Sequence, residues 1–276
     1  MKKLFLAGLT LFSLQAFSQS YMVLNNGVTL TTDKAGFLYD FDQFIMPYKV
    51  TIAGGKFLVA DEKLITVNEQ GFLFRTEEKI KKIKGKGSNY FLNDDSDLVV
   101  ITSTGTFFKY DKDSSFKKIK TFGGNFYTTN TDEKKKIVDL YTVNTKGNYF
   151  KMTTAGLNPA DITIAGGSYF MAKGMIYTVS ADGLVYPKPE KKVSGINSLG
   201  GNFFIDSGNF LFTVSEEGFL MIPVLPPKMI IKNIVKVGSN YLIDSEGNFF
   251  VVDNKGAVSQ RESKEHDLGS AKVISL

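Results

Sequence analysis

The sequence predicts an all-β chain in which seven four-stranded antiparallel units close into a ring. Three observations lead there. A unit of about 36 residues recurs seven times, each copy reads as four short strands, and the first copy is split between the two chain ends.

An aromatic residue that follows a double glycine or its equivalent sets the register. Tyr21, Phe57, Tyr90, Phe126, Tyr169, Phe203 and Tyr241 hold it, at spacings of 36, 33, 36, 43, 34 and 38 residues. A lone glycine follows 14 or 15 residues later, at Gly36, Gly71, Gly105, Gly183, Gly218 and Gly256. In the fourth copy the gap to Gly147 is 21, so residues are inserted around TDEKKK. Seven residues before each aromatic stand Val50, Ile83, Ile119, Ile162, Ile196 and Ile234. The first copy lacks this residue, but the tail AKVISL, laid in register, supplies Val273.

Each unit is justified in order. V-x-Φ-x is the first strand, and the double glycine is a tight turn expected to need positive φ. KFLVA or NFFID is the second strand, closed by turn-forming Asp, Asn and Ser. LITV, LYTV or LFTV is the third, β-branched and aromatic, and the lone glycine opens the fourth. DFDQFIMPYK, PKPEKKVSG and PVLPPKMIIKN vary in length and link the units. Pairing the C-terminal strand with the N-terminal ones removes the open edges of a linear array.

By this repeat logic the chain resembles the seven-bladed β-propeller superfamily over nearly all of its mature length. The Trp-Asp dipeptide of WD40 blades is impossible without Trp, and kelch repeats are longer and carry a Trp. At 276 residues and 43% hydrophobic, the chain can bury the core of one large domain, expected over 19–276.

MKKLFLAGLTLFSLQAFSQS carries a basic start, a short apolar run and a small-x-small site, which predicts a signal peptide over 1–18 and a bacterial periplasmic or secreted protein. No later stretch is apolar enough to span a bilayer, and no Cys offers a disulfide. The net charge of +5 falls to 31 − 28 = +3 once Lys2 and Lys3 are removed, a modest excess.

Catalytic constellations are sparse. The lone His266 lies in a charged link, and the glycine pairs lack the helix of a phosphate loop. Asp94-Asp95, Glu77-Glu78 and Glu216-Glu217 fall in turns or links, and Asp244 to Asn248 has too few carboxylates for a calcium loop. The expectation is therefore a chain that is not an enzyme, with no metal and no cofactor.

Two binding candidates remain. The residue between each glycine slot and its aromatic is Ser20, Lys56, Asn89, Asn125, Ser168, Asn202 or Asn240, and these seven polar groups would circle one channel mouth. Turn chemistry alone could also place them there. The second candidate is basic: Lys79, Lys81 and Lys82, then Lys112, Lys117 and Lys118, then Lys134, Lys135 and Lys136 should share one sector of the opposite face. Interleaved acids dilute it, and lysines also guard strand edges. No aromatic platform points to nucleic acid. The sequence thus suggests an exported, monomeric ring that binds a protein or an anionic envelope polymer. The alternative is a glycan-binding or glycan-cleaving propeller working at the channel mouth.

Overall fold

The computed structural model describes residues 20–24, 28–41, 50–111, 116–132, 137–191, 193, 195–225 and 233–261. Its strands form seven antiparallel meanders. Blade one holds β1 (Tyr21–Val23), β2 (Thr29–Thr32) and β3 (Leu38–Phe41); blade two holds β4 (Val50–Ala53), β5 (Phe57–Ala60), β6 (Lys63–Val67) and β7 (Leu73–Lys79). Blade three runs β8 (Ile83–Lys86), β9 (Tyr90–Asn93), β10 (Leu98–Ile101), β11 (Phe107–Tyr110); blade four runs β12 (Ile119–Phe122), β13 (Phe126–Asp132), β14 (Ile137–Val143), β15 (Tyr149–Met152). Blade five is β16 (Ile162–Ala165), β17 (Tyr169–Ala172), β18 (Met175–Val179), β19 (Val185–Lys188). Blade six is β20 (Ile196–Leu199), β21 (Phe203–Asp206), β22 (Leu211–Val214), β23 (Leu220–Met221), and blade seven is β24 (Ile234–Val237), β25 (Tyr241–Asp244), β26 (Phe249–Val252), β27 (Val258–Arg261).

Among the described residues the aromatic and first-strand markers are strand starts, while the fourth strands begin two residues after the lone glycines. The aromatic anchors open the second strand of each full blade and β1, and Val50 with its five Ile equivalents open the first strands. Six blades have four described strands and blade one has three; its predicted partner around Val273 lies outside the described residues, as do 1–18.

The ring closes among the described residues. A backbone N–H of each third turn donates to the next blade's carbonyl, in the order Lys34, Glu69, Ser103, Thr145, Ala181, Glu216, Asn254 and back to Lys34, all at 2.7–3.0 Å. Seven meanders in a closed ring make the chain a seven-bladed β-propeller.

The core lies between blades. One cluster joins Tyr169, Met171 and Ile176 of blade five to Phe204, Phe212 and Val214 of blade six; another joins Met22 and Leu30 of blade one to Tyr241 and Val251 of blade seven. Second and third strands are buried along nearly their whole length because both faces meet a neighbouring blade, whereas fourth strands are exposed edges. At roughly 1.5–3 kcal/mol per buried large apolar side chain, these contacts dominate the stability. Threonines of the TV motif add specificity: Thr31, Thr66 and Thr178 each donate at 2.6 Å to the turn carbonyl of Gly71, Gly105 and Gly218 on the next blade.

The double glycines need a correction. None of them has positive φ; that conformation belongs to the lone turn glycines, such as Gly71 at +83° and Gly218 at +88°. The first glycine of the pair is required by space instead. A Cβ at Gly54 or Gly200 would stand 2.2–2.3 Å from the ring of its own anchor, Phe57 or Phe203.

Candidate functional site: the axial cavity

Strand direction alternates, so in the six four-stranded blades the first-to-second and third-to-fourth turns emerge at the same end. There they converge on the axis as two sets. The slot backbones link blade to blade, Ser20 to Gly55, Lys56 to Ser88, Ser88 to Gly124 and Ser168 to Gly201, at 2.6–3.0 Å. The third-turn residues form the closed backbone ring described above. Residues of both sets, all of the third-turn ring but Ser103 among them, line a cavity of about 200 Å³.

All seven predicted slot residues, Ser20, Lys56, Asn89, Asn125, Ser168, Asn202 and Asn240, line this cavity. Their side chains fall into three groups. Ser20 and Ser168 donate to the next blade's carbonyls of Gly55 and Gly201, both at 3.1 Å. The asparagines donate through Nδ2: Asn89 to the Asn144 carbonyl, Asn125 to those of Val179 and Ser180, Asn202 to those of Val252 and Asp253, Asn240 to that of Asp33. These donations fix each amide, since a flipped amide would set oxygen against carbonyl oxygen. The Oδ1 atoms of Asn89, Asn125 and Asn202 are then buried with no hydrogen-bond partner, whereas Asn240 Oδ1 accepts from the Thr32 hydroxyl at 2.6 Å.

The third group is Lys56 alone. Burial pulls its ammonium below the ordinary lysine value, and Glu69, whose carboxylate lies 3.6 Å away, opposes that shift. Glu69 also meets Lys34 at 3.3 Å, and Glu216 adds a further acidic group within reach of Lys56. Sequence reading missed Lys34, Glu69 and Glu216 as cavity residues. Their shared signal is position, two residues before the lone turn glycine. Glu216 was expected in a solvated turn, and it does stand exposed, but at the cavity wall.

The residue after the turn glycine is exposed in all seven blades and is large and apolar in four, Phe37, Phe72, Leu184 and Phe219, at 50–61%, though none of these lines the cavity. Arg261 lies 5.3 Å from the Phe37 ring and Lys188 5.9 Å from that of Phe219.

Of the basic candidates, Lys79, Lys81, Lys82 and Lys118 are exposed, and none lines the cavity. Lys112, Lys134, Lys135 and Lys136 lie outside the described residues, as do His266 and the side chain of Lys117. Asp244 to Asn248 is a hairpin turn, with Asp244 Oδ1 accepting from the N–H groups of Glu246 and Asn248. Among the described residues no three His, Cys, Asp or Glu stand together as a metal set, and no helix is long and apolar enough to cross a membrane.

No protein-family model and no curated protein matches the chain. Solved structures do. Streptogramin B lyase is 14% identical, with 91% of this chain and 96% of that one covered and a TM-score of 0.31. Virginiamycin B lyase from Staphylococcus aureus is 11% identical, with 89% and 94% covered and a TM-score of 0.33. The extracellular domain of a one-component system from B. thetaiotaomicron is 11% identical, with 90% and 39% covered and a TM-score of 0.29.

These neighbours correct one expectation. The sparse catalytic residues led to a chain that is not an enzyme, yet two of the matched structures are lyases. A missing motif therefore excludes no activity. At such identities and TM-scores the likeness carries no argument, the fold rests on the seven meanders and their closed ring, and no lyase chemistry is carried to this chain.

Proposed function

We propose that the chain is an exported binding module whose ligand enters the axial cavity and offers hydrogen-bond donors to its wall. The observation that carries this reading is the set of three asparagine oxygens, on Asn89, Asn125 and Asn202, fixed by their own amide donors and left without partners. A buried acceptor without a donor costs about 1–3 kcal/mol, so three together are expensive unless something else supplies the donors.

The test is a titration of the folded protein with two panels, neutral oligosaccharides and free amino acids with short peptides. It is followed through the side-chain amide resonances of the three asparagines. A bound ligand should move those signals. The triple variant Asn89→Leu, Asn125→Leu and Asn202→Leu, which also gives up the amide bonds to the next blade, should stay folded at the assay temperature and lose at least tenfold in affinity. A ligand that binds the triple variant equally well, or two panels that leave all three amides unmoved, would defeat the proposal.

A further inference from the structure

We infer that the cavity selects a small zwitterion of the α-amino acid class, with its carboxylate toward Lys56 and Lys34 and its ammonium toward Glu216 and the unpartnered amide oxygens. This rests on the cavity being the binding site. The slot and turn positions repeat in every blade, but charge does not. Lys34 and Lys56 belong to blades one and two, Glu216 and Asn202 to blade six, and Asn89 and Asn125 to blades three and four. The wall thus has a donor side, where Glu69 is shared between two ammonium groups, and an acceptor side.

Charge balance narrows the ligand. Lys34 and Lys56 offset Glu69 and Glu216, and the remaining charged lining residue, Asp33, brings the lining to 2 − 3 = −1 while its carboxylate is turned to the Phe37 N–H and the Tyr39 hydroxyl of its own turn. An anion would add to that negative excess, and a cation without a carboxylate would leave the two ammonium groups without a new partner in a partly enclosed space. A neutral ligand without charges would leave the Lys56 ammonium, itself partly buried, with one long contact to Glu69. A zwitterion meets both sides. The size agrees: about 200 Å³ lies below the roughly 300–1,000 Å³ of sites for drug-sized ligands. A side chain can leave through the open mouth between the turns.

The experiment uses calorimetry and the asparagine amide signals with four probes: L-serine, L-serinamide, N-acetyl-L-serine and D-glucose. Serine should bind at least tenfold tighter than either blocked form. Lys56→Asn, which installs the residue type of the neighbouring slots, should bring serine down to the level of serinamide. Glu216→Gln should weaken serine while leaving N-acetyl-L-serine unchanged. If glucose binds and serine gains nothing over its blocked forms, the zwitterion is overturned and the cavity remains a site for neutral donors. If neither these probes nor the broader panels move the amides, both readings fall together.

Discussion

Six junctions between successive blades and the seam between blades seven and one are built from the same contacts on very different stretches of chain. At ordinary junctions the anchor tyrosine or slot asparagine reaches a residue 31–55 positions away, as from Tyr90 to Phe126 or from Asn125 to Ser180. At the seam the equivalent bonds join Asn240 to Asp33 and Tyr241 to Tyr21, 207 and 220 positions apart. The anchors also alternate Tyr and Phe around the ring, and because seven is odd the alternation fails once, where Tyr241 meets Tyr21. There the hydroxyl-to-carbonyl distance is 3.4 Å, against 2.8 Å from Tyr21 to Phe57. Local repetition builds the ordinary junctions. The seam must be closed by contacts of high sequence separation, and it has its own side-chain solution, the Thr32 hydroxyl on Asn240.

The largest contrast is expected at the second slot position. A Cβ on Gly167 would stand 2.1 Å from the backbone oxygen of Gly201, and one on Gly124 would stand 2.3 Å from Gly167 Cα. Backbone cannot rotate away, so Gly167→Ala should cost about 3 kcal/mol or more. Blades three and seven already carry a Cβ at this register, on Ser88 and Ser239. Ser239→Ala should stay within about 0.5 kcal/mol in denaturant unfolding. Equal losses at both positions would mean that the backbone at Gly167 gives way as readily as a site that already holds a Cβ.

Much of this was legible from residues alone. The anchors, the first-strand Val and Ile markers and the seven slot residues are fixed by steric needs that allow few residue types, so they recur visibly. The third-turn ring was not legible for the opposite reason. Its members are Lys34, Glu69, Ser103, Thr145, Ala181, Glu216 and Asn254, and the bond is made by backbone, which leaves the side chain free to vary. The double glycines were read as a conformational need because a sequence does not separate left-handed backbone from lack of space. The orphaned oxygens depend on which residue the next blade presents, and that pairing exists only after the ring closes.

A second contrast lies at the junction of blades two and three. The last residue of the first strand is apolar in the other full blades, Ala53, Phe122, Ala165, Leu199 and Val237, but is Lys86 in blade three. Its ammonium donates to the Ala53 carbonyl, and burial pulls its pKa from 10.5 down to about 8. Below pH 8 the folded protein carries the full penalty of a buried charge. As pH rises from there toward 10.5, the folded state sheds the proton first and stability climbs, by up to about 3 kcal/mol in the limit. Above that range the buried anchor hydroxyls reverse the trend. Burial raises the pKa of Tyr21, Tyr90, Tyr169 and Tyr241, so the unfolded chain ionises first and stability falls. Lys86→Met should therefore stabilise the protein at pH 7 by about 1–2 kcal/mol, after loss of the Ala53 hydrogen bond, and flatten the rise above pH 8. A variant that melts lower at pH 7 and keeps the rise would show that another group titrates.

The smallest effect is the most diagnostic, because it exchanges the seam's solution with that of an ordinary junction. Thr32 of blade one and Val252 of blade seven hold the same register at the end of their third strands. Thr32 gives Asn240 Oδ1 its donor, while Val252 leaves Asn202 Oδ1 without one. Thr32→Val should orphan the seam amide and cost about 1–2 kcal/mol. Val252→Thr should do the reverse at Asn202, adding about 0.5 kcal/mol by thermal unfolding, since the new hydroxyl has a waiting acceptor. If Asn202 is an acceptor kept open for a ligand, Val252→Thr should also weaken whatever ligand moves its amide signal, because the hydroxyl competes for the same oxygen. Gain in stability with loss of binding would separate an oxygen reserved for recognition from one merely left over by packing, in which case only the stability would change.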